Sequence, residues 1–147
     1  MVSISSFFSK SNSVFTFEIP KLEPDLLGFT KHGKPTFSTI AFAMLASGPG
    51  DTIQLLGSYS NETATITHSG MTVTGDVGST GIILQLGVGV ATFTAAGTAP
   101  FAIRDASDGN GIVGNAGDNL VTVASGIDSV DGGAGIDRLV VDYSLAT

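Results

Sequence analysis

The chain has 147 residues with 20 glycines, no cysteine and no tryptophan, and 13 acidic against 6 basic side chains leave a net charge of −7. That length admits one domain, or one domain with an atypical end, and the acidity argues against a nucleic-acid partner while suiting a bound cation. Without cysteine there is neither a disulfide scaffold nor a thiolate metal site, so hard oxygen ligands remain.

Residues 1–35 form an N-terminal segment of weak pattern. Val14-Phe15-Thr16-Phe17-Glu18-Ile19 alternates like a short strand, and Pro20, Pro24 and Pro35 interrupt the residues after it. No charged stretch leading into an apolar one marks a cleaved signal, and no apolar run reaches the ~20 residues of a membrane span. From Thr36 to Ser47, Phe37, Ile40, Ala41, Met44 and Leu45 are spaced as one face of a helix. Ser38 or Thr39 is placed to cap it, and Gly48-Pro49-Gly50 ends it. A helix ahead of a run of strands suits a plug over the end of a solenoid, or an ordinary packing element.

From Asp51 the period changes. Thr52–Leu56, Thr63–Thr67, Met71–Thr74, Ile82–Leu86, Val90–Thr94 and Phe101–Arg104 are short β-rich segments punctuated by glycine. Many short strands fit a sandwich, a barrel or a solenoid. Their low charge, and their passage without a linker into a repeat array, favour the solenoid.

That array is the strongest signal. Gly132-Gly133-Ala134-Gly135-Ile136-Asp137-Arg138-Leu139-Val140 matches the nonapeptide G-G-x-G-x-D-x-U-x at every specified position. Its phase extends upstream: Gly117, Gly126 and Gly135 share one slot, Asn119, Asp128 and Asp137 the sixth, and Val121, Val130 and Leu139 the eighth. The repeats are Asp105–Val113, Gly114–Thr122, Val123–Asp131 and Gly132–Val140. Two nonapeptides make one flattened turn, so the first repeat stacks on the third and the second on the fourth.

Two resemblances rest on these residues. Thr36 to Asp76, with Gly50-Asp51-Thr52-Ile53, Gly57-Ser58-Tyr59 and Ile66 to Gly75, resembles the opening of right-handed parallel β-helix proteins of the pectin-lyase-like group. From about Asp105 the chain resembles the RTX, or haemolysin-type, calcium-binding repeat family. Together they imply an all-β fold, a right-handed parallel β-helix and β-roll solenoid with an N-terminal capping helix. The rungs would span residues 36–104 and the calcium-binding turns residues 105–147.

The second resemblance implies calcium between loops stacked two repeats apart. The second and fourth repeats make the better site, the first and third being able to do without an ion, and there it assigns Asp137 and Asn119 as side-chain ligands. Carbonyls of Asn115, Gly117, Gly133 and Gly135 would join them, with Asp118 as an extra or substitute carboxylate. The first and third repeats offer Asn110 and Asp128. Asparagine replaces aspartate at positions 110 and 119, and Val123-Ala124-Ser125 replaces opening glycines. Fewer charges imply weak affinity, toward ~10⁻⁴–10⁻³ M. Asparagine and aspartate in glycine turns also cap solenoids with no metal at all.

The function this implies is calcium binding that orders the C-terminal turns of a secreted or cell-surface module. Its partners would be calcium, a polysaccharide or a cell surface, or a second copy at the open solenoid end. The last residues, Asp142 to Thr147, follow a strand and read either as the cut edge of a longer array or as an end that caps itself by pairing with another copy.

An enzymatic alternative, a polysaccharide lyase or epimerase, needs clustered carboxylates, and the rungs carry only Glu62 and Asp76. His32 and His68 lie in no metal or catalytic motif. An ice-binding or adhesive alternative rests on the Thr63/Thr65/Thr67, Thr72/Thr74 and Thr92/Thr94 patterns, which equally suit solvent-facing strands.

Overall fold

The computed structural model describes the backbone of Val14–Glu18, Phe29–Lys31 and Lys34–Thr36, and all of residues 40–105 and 109–142. The expected caps Ser38 and Thr39, with Phe37 and His32, lie outside the described residues.

Two stacked parallel walls form a β-solenoid of about 5 turns, with one short helix at the N-terminal side. Helix α1 spans Ile40–Ala46. The strands are β1 (Val14–Glu18), β2 (Phe29–Lys31), β3 (Lys34–Thr36), β4 (Thr52–Leu56), β5 (Glu62–Ile66), β6 (Met71–Gly75) and β7 (Ile82–Leu86). They continue as β8 (Thr92–Gly97), β9 (Ala102–Arg104), β10 (Gly111–Val113), β11 (Leu120–Val123), β12 (Ser129–Asp131) and β13 (Arg138–Val141). One wall runs β12-β10-β8-β6-β4-β1-β3-β2 and the other β13-β11-β9-β7-β5, so consecutive strands from β4 onward alternate between walls.

Period-2 patterning explains the alternation. In β4, β6 and β7 every second residue is buried, because successive side chains point to opposite faces of a strand. The inward set meets between the walls: Ile53, Leu55, Val73 and Phe93 from one side, and Ile66, Leu84, Leu86 and Ile103 from the other. Parallel strands stack in register, Ile53 on Val73 and Leu84 on Ile103.

The helix is where expectation and structure part. Its buried stripe is Ile40, Ala43 and Met44, while Leu45 is exposed, so the inward face is rotated from the one containing Ala41 and Leu45. Ser47 closes the end by donating its hydroxyl to Met44 O at 2.7 Å. The helix packs on β5 and touches β1. It therefore caps the wall that begins at β5, whereas β1 extends the other wall by pairing in parallel with β4.

From β6 onward the coils shorten along the axis. Met71 stacks on Phe93, Phe93 on Ile112 and Ile112 on Val130, and the stretch of chain between partners narrows at each step. The threonines divide between walls. Thr52, Thr72 and Thr94 align as one rank, but Thr63 faces Ile83 and Thr65 faces Gln85 on the opposite wall.

Tyr59 packs into the core where the chain turns toward β5. Burial pushes its phenol well above the ordinary value, outweighing the bond to Leu56 O, and Glu62 adds to the rise. A phenol that stays protonated longer in the folded chain than in the unfolded one stabilises fully below the unfolded pKa of about 10. That contribution is lost as pH rises above this point. Alkaline titration of the melting temperature should show the loss in wild type and a flatter profile in Tyr59→Phe; identical profiles above pH ~10 would refute it.

Candidate functional site

The C-terminal turns stack as the repeat register requires. Gly111–Val113 lies on Ser129–Asp131, and Leu120–Val123 on Arg138–Val141, each two repeats apart. The sixth-slot residues therefore meet in pairs, Asn110 with Asp128 and Asn119 with Asp137. In both pairs the later carboxylate accepts the earlier residue's backbone N–H, at 2.8 Å in the first and 2.9 Å in the second.

Asn119 is central to the second pair and is almost fully buried. Its Oδ1 accepts the Phe101 N–H from the coil before, at 3.2 Å. Its Nδ2 donates to Gly117 O at 2.7 Å, Asp137 Oδ1 at 3.1 Å and Gly132 O at 3.2 Å. Three oxygens of two successive coils thus converge on one amide nitrogen. Asn115 does similar work toward the coil before: its Nδ2 donates to Ala99 O and Ala96 O while its Oδ1 accepts the Gly117 N–H. The carbonyl of Asn115 accepts the Ala134 N–H at 3.0 Å, and Asp118 Oδ1 accepts the Ile136 N–H at 2.8 Å.

Glycine is required here by contact as well as by conformation. Gly133 has φ of 86°, and a side chain on it would run into the Asn115 backbone. Gly135 has φ of 108° and sits over Gly117. A side chain on Gly114 would collide with the Gly132 carbonyl. Close stacking of coil on coil is thus what the motif glycines secure.

The first pair is arranged differently. Asn110 donates its Nδ2 to Val90 O, and its Oδ1 is buried with no hydrogen-bond partner among the described residues. The first slot of this repeat is Asp105, also buried, where the second and fourth repeats have glycine.

The second pair gathers carbonyl and carboxylate oxygens around the Asn119 Nδ2, whereas the first has a carboxamide oxygen and a carboxylate, and oxygens of these kinds are the chemistry that suits calcium. The buried unpartnered oxygen of Asn110 fits a cation better than it fits a dry core. Among the described residues no group of three or more His, Cys, Asp and Glu side chains is set to hold a metal, so a site here leans on amide and backbone oxygens.

The other singled-out side chains serve turns. Asp76 Oδ1 accepts from Gly78 N and from the Ser79 hydroxyl, and His68 Nδ1 lies 2.9 Å from Thr67 Oγ1. No helix among the described residues is long and apolar enough to cross a membrane. Comparison with family models, with curated proteins and with solved structures gave no match to this chain.

Proposed function

We propose that this chain is a calcium-binding β-solenoid module in which the ion orders the C-terminal turns, working outside the cell or at its surface. The observation that carries the reading is the two-repeat register, which joins a sixth-slot asparagine to a sixth-slot aspartate in each loop pair. Each pair offers oxygens from two successive coils, so an ion held there ties one coil to the next. Calcium accepts six to eight oxygens at flexible angles, which suits a set built from carbonyls and few carboxylates. Few carboxylates also mean affinity of ~10⁻⁴–10⁻³ M, and binding that weak responds only where calcium is abundant. This is the basis for placing the module outside the cell.

Calcium that binds the folded chain and not the unfolded one stabilises by RT ln(1 + [L]/Kd), about 1.4 kcal/mol at tenfold excess over Kd. The melting temperature of chelator-treated protein should then rise by roughly 3–6 °C. Magnesium at the same concentration should do less, since it demands a tight octahedron. Superimposable melting curves and circular dichroism spectra up to about ten times the upper end of that Kd range would overturn the reading.

A further inference from the structure

Two dipeptides of the C-terminal coils carry a chemistry of their own. Asn110-Gly111 is the one Asn-Gly pair of the chain. Asp131-Gly132 is one of two Asp-Gly pairs, and the aspartate of the other, Asp108, lies outside the described residues. In such pairs the peptide nitrogen of the glycine can attack the side-chain carbonyl carbon before it, because no Cβ shields the approach. In an unfolded chain the asparagine pair reacts faster, since a carboxylate must first take up a proton. The fold reverses this order.

Asn110 is 2% exposed and its Nδ2 is bonded to Val90 O. The Gly111 N–H, which must be freed to attack, is bonded to Ala91 O at 2.8 Å. The following coil ties the same residue: Asp128 Oδ1 accepts its N–H, and its carbonyl accepts the Ser129 N–H. Reaction at Asn110 therefore waits for the coils to open. Asp131 is placed otherwise, exposed at the end of β12, an edge strand of its wall. Its Oδ1 accepts the Gly133 N–H at 3.0 Å. A bond to the residue two positions on folds the carboxyl back over the intervening peptide. The Gly132 N–H in that peptide has no hydrogen bond among the described residues.

We infer that Asp131-Gly132 is a self-modification site, at which the native fold directs isomerisation of aspartate to isoaspartate while it shields Asn110. The Gly132 nitrogen attacks Cγ of the protonated Asp131 carboxyl. The N–C bond forms, the Cγ–OH bond breaks, and the hydroxyl leaves as water with the amide proton. Water then adds to either carbonyl of the cyclic imide. Opening at Cγ restores aspartate, and opening at the main-chain carbonyl gives isoaspartate, whose main chain runs through the side-chain methylene. Water is the only co-reactant, and nothing is oxidised or reduced. Asp131 O, which accepts the Gly114 N–H at 2.7 Å, then belongs to a free carboxylate off the main chain. The lengthened chain also shifts the turn whose Gly132 O and Asp137 Oδ1 face Asn119. Isomerisation thus loosens the last coil from the one before it, with age in place of a ligand as the trigger.

The test is ageing of the full chain near neutral pH with chelator, both native and in denaturant. Cleavage at Arg104 and Arg138 then releases one peptide that holds both pairs, and electron-transfer fragmentation locates each product. In the native chain isoaspartate should accumulate at residue 131. Asn110 should deamidate at least about tenfold more slowly there than in denaturant, because it reacts only from opened coils. In denaturant Asn110 should overtake Asp131. Asp131→Glu keeps the carboxylate but requires a larger ring, and should yield no isomer. The isomer-bearing fraction of aged protein should melt below fresh protein. Native deamidation of Asn110 as fast as in denaturant would overturn the proposed shielding. Isoaspartate at residue 131 in denaturant alone would overturn the site, since the turn would then hold the carboxyl away from the Gly132 nitrogen. Isomer with an unchanged melting temperature would overturn the loosening of the last coil.

Discussion

Asn119→Asp should make the second loop pair far more dependent on metal than it is in wild type. The substitution is nearly isosteric, yet it replaces the two amide protons facing Gly117 O, Gly132 O and Asp137 Oδ1 with a second carboxylate oxygen. The position is 2% exposed, so the new charge is buried against another carboxylate and two carbonyls. An uncompensated buried charge costs about 3–5 kcal/mol, a large share of the 5–15 kcal/mol that holds a typical domain together. In chelator the variant should melt roughly 10–20 °C below wild type. Calcium should restore much of the difference, because a cation placed among four oxygens supplies what the amide protons supplied. A metal-free melting temperature equal to that of wild type would show that the three oxygens do not form the cage described for them.

Phe93→Ala should be the most damaging substitution in the core. Phe93 is 1% exposed on β8, stacked between Met71 and Ile112. Removing a buried phenyl ring forfeits its transfer free energy and leaves a cavity, together about 3–5 kcal/mol. The informative comparison lies along the eighth slot of the repeats. Ile112 and Val121 are each 1% exposed, Val130 is half-buried, and Leu139 is 53% exposed. Alanine at Ile112 should cost about 2–4 kcal/mol, whereas at Leu139 it should cost under about 1 kcal/mol. Urea denaturation of the three variants checks this order. A Leu139→Ala loss as large as that at Ile112 would mean that the terminal coil is covered by something in solution.

The C-terminal architecture was legible because one phase is kept over four repeats. The polar and aliphatic slots recur in all four nonapeptides and the glycine slot in the last three, and burial of alternate aliphatics then requires the two-repeat stack seen between Leu120–Val123 and Arg138–Val141. The central rungs were legible as strands but not as coils. Their spacing varies, so nothing in the threonine pairs told that Thr72 and Thr94 would share a rank while Thr63 went to the other wall. The helix face was misread because Leu45 is apolar yet faces solvent, while the smaller Ala43 packs inward.

What the sequence could not carry was the direction of an amide. Asn110 and Asn119 are the same residue in the same slot. Their opposite orientations are decided a coil earlier, by whether a backbone N–H at Phe101 or a carbonyl at Val90 faces the side chain. That is a property of strand phase in the preceding coil, which no local motif encodes.

The shortening of the coils toward the C-terminal end has a thermal consequence. Wide coils enclose the rings of Phe93 and Phe101, whereas the narrow ones enclose aliphatic side chains such as Ile112 and Val121 together with the amides of Asn110, Asn115 and Asn119. Apolar surface carries most of the heat capacity of unfolding, and its stabilisation weakens on cooling. The narrow coils depend more on amide bonds and charge. Temperature therefore acts mainly on the wide end of the solenoid and ionic conditions mainly on the narrow end, so the two ends of one short chain answer to different variables.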